Sequence, residues 1–232
     1  MAVIHRTVLE PTKLELLASW LPSRPWFSGG GGEPALAKAG GFRLDDPQGE
    51  VGIEFMVVTD TSGAHPAAYL VPLTYRGAPL DGAEHALVGT MEHGVLGRRW
   101  AYDGCHDPVL LAQLSALIEG RVQAQDQNSS DTPDREVTRS HKGDGSAFTD
   151  FTPGATDDHE GTELSAPTHG RTLRLHRVLR PAPDEDMPLL PSRATGHVAG
   201  SWRMPDGTRA RGLFVVVHGG SHAGNRAVGL TS

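Results

Sequence analysis

A chain of 232 residues that is 38% hydrophobic, with a formal net charge of −7, can build a globular core but lacks the Lys/Arg excess that nucleic-acid binding needs. The single cysteine, Cys105, rules out an intramolecular disulfide and a cysteine-built zinc site, which fits a reducing compartment. No apolar run has signal-peptide or bilayer-spanning length, the longest burst being Leu213 to Val217, so a cytoplasmic protein without membrane contact is expected.

In chain order, the first elements are a short strand and a short helix. Thr12 and Glu15 have capping-box spacing, Leu14, Leu17 and Leu21 share a helical face, and Pro22 ends the helix. Extended segments follow in FRLDD, EVGIEFMVVTDT and AAYLVPLTYRG, the last with Tyr69, Val71, Leu73 and Tyr75 at period two. The turn-rich stretch Asp60 to Pro66 joins the last two as a hairpin, with His65 a hairpin residue. Two further strands are expected in HALVGTMEH and LGRRWAYDG. A second helix follows, with Asp107 as N-cap, Pro108 at the first position, Leu110, Leu114, Leu117 and Ile118 as its stripe, and Gly120 at the exit.

From about Gln123 to Gly170 large apolar residues are scarce apart from Phe148 and Phe151. Such a segment buries too little to offset backbone ordering at roughly 1 to 2 kcal/mol per residue, so a flexible linker or long loop is expected. Strands return in RTLRLHRVLRPA, ATGHVAGSWRM and RARGLFVVVHG, with a turn at Pro205 to Gly207, as a three-stranded element added to the first sheet or packed against it. The expected fold class is α+β: a curved antiparallel sheet with two flanking helices, a flexible insert, and a C-terminal antiparallel strand cluster. The corresponding units are residues 1–120, 121–170 and 171–232.

Two stretches resemble kinase motifs. VVVHGGSHAGN, Val215 to Asn225, is similar to the catalytic loop of aminoglycoside-phosphotransferase-like kinases, but Gly220 stands where the catalytic Asp belongs and no acidic metal ligand follows Asn225. SGGGGEPALAKAG resembles a phosphate-covering loop and its Lys, but too few residues separate Gly32 from Lys38; a mobile connection and an exposed strand Lys are expected. His218 and His222 have the i, i+4 spacing of metal ligands without a helix or a nearby carboxylate, so no metal is assigned. The stretch MEHGVLGRRWAYDGCHDP concentrates polar groups between apolar elements. Arg98, Arg99, Trp100, Asp103 and His106 are the candidate binding residues there, with no catalytic assignment. Adjacent Cys105 and His106 seldom converge as nucleophile and base, and Asp107, a possible carboxylate partner of Asp103, already serves as a helix cap.

PTKLELLASWLPSRPWF, GIEFMVVTD, AYLVPLTYRG and ALVGTMEHGVLGRRWAYDGCHDPVLLAQLSALI, in that order over Val3 to Ile118, resemble the N-terminal cap domain of maltokinases. The resemblance implies the cap's fold and a place near trehalose and α-glucan (glycogen) metabolism. Kinase activity does not carry over: beyond Gly120 too little chain follows for both kinase lobes, and in TLRLHRVLRP the place of an ATP-orienting Lys is taken by Arg174. A non-catalytic accessory protein without cofactor is therefore expected, self-associating or docking through Arg98 to His106 onto an enzyme of trehalose or glycogen metabolism. The tail strands from Leu173 to His218 are the alternative cover for that surface. The alternative function is an enzyme or sugar-kinase-related subunit that binds ATP, maltose or another α-glucan around Trp100.

Overall fold

The computed structural model describes residues 9–142, 151, 154–166, 170–182, 191 and 194–219. Phe148, Gly220, His222 and Asn225 lie outside them. Helix α1 (Lys13–Trp20) starts at the expected capping box: the Glu15 N–H donates to the Thr12 hydroxyl at 3.3 Å, and the Thr12 N–H donates to the Glu15 carboxylate at 2.7 Å. Helix α2 (Pro108–Glu119) starts on Asp107 and stops at Gly120, whose left-handed φ of 81° suits glycine.

The first half of the sheet is β1 (Leu9–Glu10), β2 (Leu36–Leu44), β3 (Gly52–Asp60), β4 (Ala67–Arg76), β5 (Leu87–His93) and β6 (Gly97–Asp103). The second half is β7 (Thr138–His141), β8 (Ala155–Asp157), β9 (Gly161–Ala166), β10 (Arg171–His176), β11 (Val178–Leu179), β12 (Ala194–Arg203) and β13 (Arg209–His218). All pairings among the described residues are antiparallel. The strands run in the order β1-β5-β6-β4-β3-β2-β12-β13-β10-β9-β8, with β11 on β4 and β7 on β12. The sheet is open and antiparallel, as the sequence leads one to expect, and its two short helices are those the capping signals mark.

Two expectations change. Of FRLDD only Phe42 to Leu44 are strand, as the end of β2, which begins at Leu36 and passes through a bulge between Lys38 and Gly40. A Cβ on Gly41 would sit 2.0 Å from the Phe55 carbonyl oxygen at a φ of 118°, so glycine lets the strand continue where composition suggests a break. The segment expected as a linker contributes β7, β8 and β9, and Phe151, Leu164 and Ala166 are buried. In β9 the inward positions Thr162, Leu164 and Ala166 alternate with exposed Glu163 and Ser165, so few apolar residues suffice to seat a strand. The C-terminal strands are added to the first sheet: Trp202 of β12 pairs with Gly40 of β2.

β3 and β4 are buried on both faces. One face, with Phe55, Val57 and Leu70, joins α2 and residues of the second half such as Leu173, Val215 and Phe214. The other, with Met56, Val58, Tyr69 and Val71, packs under Leu17, Trp20 and Trp26. Asp107 connects helix to sheet, because its carboxylate accepts from the Val109 N–H at 2.9 Å and from Arg76 through two hydrogen bonds of 2.7 Å. Asp107→Ala should therefore cost about 2 to 4 kcal/mol, and Asp107→Asn, which keeps the cap, clearly less; urea denaturation of both variants measures this.

Candidate functional site

Alternation along β6 divides the residues singled out by sequence. Arg98 and Trp100 project to one face, Arg99 and Asp103 to the other. The Arg98 guanidinium lies 5.3 Å from the Trp100 ring centroid and is exposed, whereas Trp100 is half-buried against Tyr102, Ala83 and Ala86. Half-buried Arg99 donates to the Leu96 carbonyl at 3.1 Å. His106 has turned away from Cys105 to meet His85, with Nδ1 and Nε2 3.1 Å apart. Of the five residues only Arg98 and Trp100 are therefore brought together; Arg99, Asp103 and His106 each have other partners.

Asp103 is the deepest of them. Its carboxylate accepts from Arg177 Nη2 at 2.6 and 2.8 Å, and both side chains are buried. Arg177 also donates to the Thr162 hydroxyl at 2.7 Å and to Cys105 Sγ at 3.3 Å, and sits 5.1 Å from the centroid of Trp26. Thr162 donates on to Asp157 at 2.6 Å. Burial alone would raise the Asp103 pKa, but the charge and hydrogen bonds of Arg177 hold it below the ordinary carboxylate range. Burial pushes the Cys105 thiol well up, so it stays protonated and is a poor nucleophile.

Arg177 is the residue the sequence reading missed. Its signal was present: Leu173, Leu175, Arg177 and Leu179 share one parity, and all four are buried, so an arginine stands where a core residue belongs. Glu54 was missed in the same way. It interrupts the apolar run of β3 and is buried, and it accepts from Lys13 and from the Tyr75 hydroxyl at 2.8 Å. Burial opposes its ionisation, yet Lys13, then Lys38 and Tyr75, keep its carboxyl below the usual value.

The β5–β6 hairpin differs from the rest of the surface. Val95 is 60% exposed, Leu96 46% and Leu87 37%, and these are the exposed large hydrophobic residues among the described residues. Arg98 stands beside the tip. The tail covers the Asp103 end of β6 through Arg177 and leaves this tip open.

Among the described residues three histidines are held below their ordinary value of 6.5. Burial lowers His106 against the pull of Asp103, with His85 adding to the shift; burial and then Arg174 lower His176; burial and then Arg211 lower His197. A folded pKa below the unfolded one means that unfolding takes up protons, so this stability is full above the unfolded value and is lost as pH falls through the folded values. Tm should drop between about pH 7.5 and about pH 5.5 in scanning calorimetry, and a Tm constant across that window would contradict the assignment.

Fold and contacts together define an open antiparallel sheet with two short helices, in which the buried carboxylates of Glu54, Asp103 and Asp107 are tied into ion pairs. Residues 20–107 match the family of the maltokinase N-terminal cap domain. That bears out the resemblance read from the sequence, and it places Trp26, Glu54, Asp103, Cys105 and the hairpin inside the match, and Asp157, Thr162 and Arg177 outside it. No curated protein matches the chain. Among the described residues no helix is long and apolar enough to cross a membrane, and no three His, Cys, Asp or Glu side chains converge as metal ligands.

Proposed function

We propose that this chain is a non-catalytic, cap-type accessory protein of trehalose and α-glucan metabolism that docks onto an enzyme of that metabolism through the β5–β6 hairpin. The observation that carries the reading is the confinement, among the described residues, of exposed large apolar side chains to that hairpin, inside the matched segment. Exposed apolar clusters rimmed by polar groups mark contact surfaces in soluble proteins. Arg98, beside the tip, lies over the Trp100 ring, and an arginine beside an aromatic ring is a common anchor in such contacts. The reactive types in the matched segment support a non-catalytic role: Cys105 and Asp103 are sealed by Arg177, Asp107 holds α2, and Glu54 is neutralised by lysines.

Purified enzymes that synthesise, interconvert or phosphorylate trehalose, maltose and glycogen provide the test. The full chain should bind one of them in a biosensor assay, and Val95→Ser combined with Leu96→Ser should weaken binding at least about tenfold, as loss of a central apolar contact does. Light scattering of the full chain alone reads out self-association, the other occupant of the same surface. Magnesium-dependent ATP consumption with maltose, or capture that the double substitution leaves unchanged, would overturn the proposal.

A further inference from the structure

Besides the short pairing of β11 with β4, the two halves of the sheet meet at a narrow seam. β2 and β12 share one register pair, Gly40 with Trp202. Beside it opens a cleft of about 730 Å³, whose walls are Ala39 to Gly41, residues 126–128 and 132–137, and the turn end of β12 and β13. Most of the cleft lies outside the segment matched to the cap family.

Its floor is held in place. The Gln127 side-chain amide donates to the Gly40 carbonyl at 2.9 Å, and Gly40 and Gly41 present no side chains. The walls carry Asp126, Asp134 and Glu136 against Arg135, Arg203 and Arg209, so the formal charges cancel. Glu136 and Arg209 pair at 2.7 Å. Arg135 and Arg203 have no acidic partner among the described residues, and the exposed Asn128 amide makes no side-chain hydrogen bond there. Burial, then the neighbouring carboxylates Glu136 and Asp126, hold the Asp134 carboxyl above its ordinary value despite the Glu136 N–H that it accepts.

This lining suits a particular ligand chemistry. Apolar ligands need mostly apolar walls, and a lining of zero net charge gives no field to concentrate a phosphate or a cation. Hydroxyl groups both donate and accept, so a polyhydroxylated molecule uses guanidinium and amide donors together with interspersed carboxylate acceptors. We propose that this cleft binds a short neutral oligosaccharide, with Arg135, Arg203 and Asn128 donating to its hydroxyls and Asp126 and Asp134 accepting from them. The preference for α-linked over β-linked chains rests on the proposed role in α-glucan metabolism; the cleft itself does not.

Isothermal titration of the full chain with maltoheptaose and with cellotetraose tests both parts. Maltoheptaose should bind saturably, and Arg203→Ala and Asn128→Ala, both at exposed positions, should each weaken it about fivefold or more through a lost hydrogen bond. Val95→Ser in the distant hairpin should leave it unchanged. Absence of saturable binding by either sugar, or maltoheptaose binding that both cleft substitutions leave intact, overturns the proposal without touching the docking reading. Preference for cellotetraose, with the same dependence on Arg203 and Asn128, supports the cleft and removes the α-glucan role.

Discussion

Replacing Arg177 with alanine should lower the unfolding free energy by about 3 to 5 kcal/mol, because it strands the Asp103 carboxylate in the core. Arg177 and Asp103 are both buried, and the carboxylate accepts two hydrogen bonds from Nη2. The double change Arg177→Met with Asp103→Leu should recover much of that loss, since apolar groups of similar volume need no compensation in a dry interior. Equilibrium urea curves for the two variants measure both effects, and equal destabilisation by the single and double changes would count against the pairing. The pair also has an acid signature. The Asp103 pKa is lowered in the fold, so its stabilising contribution is present above the unfolded value near 3.8 and is lost as pH falls through the folded value. Arg177→Ala should abolish that part of the acid transition.

A fragment ending at Gly120 should fail to unfold cooperatively. It retains α2, the first six strands and the whole matched segment, but it loses half of the core that these elements share. Phe42 stacks on Phe55 at 4.5 Å and faces Phe214 at 6.2 Å, and that second ring comes from β13. The Leu70 N–H donates to the Arg177 carbonyl at 2.9 Å, and β11 pairs with β4 at Tyr69 and Ala68. Without the tail, Asp103, Cys105 and Trp26 lose the guanidinium that covers them. The expected result is a broad, non-sigmoidal denaturation profile with binding of an apolar dye, against a single transition for the full chain. A sharp transition in the fragment would show that the cap stands alone and that the tail is an addition to it. The hairpin tip, with Val95 and Leu96, remains exposed in either case, so this result does not decide the docking proposal.

Local chemistry wrote much of this protein's structure into its sequence. Thr12 and Glu15 set the start of α1, Asp107, Pro108 and Gly120 bound α2, and the alternation from Tyr69 to Tyr75 assigned one face of β4, each within a few residues of chain. The ordered segments that resemble the maltokinase cap, matched over residues 20–107, were legible for the same reason: they are contiguous. Pairing between distant strands is another matter, because backbone N–H and C=O groups are alike at every residue and do not name their partners. Only the tertiary structure decided that Trp202 would meet Gly40 and make one sheet of two strand clusters. It also decided that Arg177 would be drawn 74 positions along the chain to Asp103, since a buried charge is stable only beside its opposite. Nor does a count of apolar residues between 121 and 170 reveal that Phe151, Leu164 and Ala166 find a core already built by others, so that strands form where composition alone supports a linker.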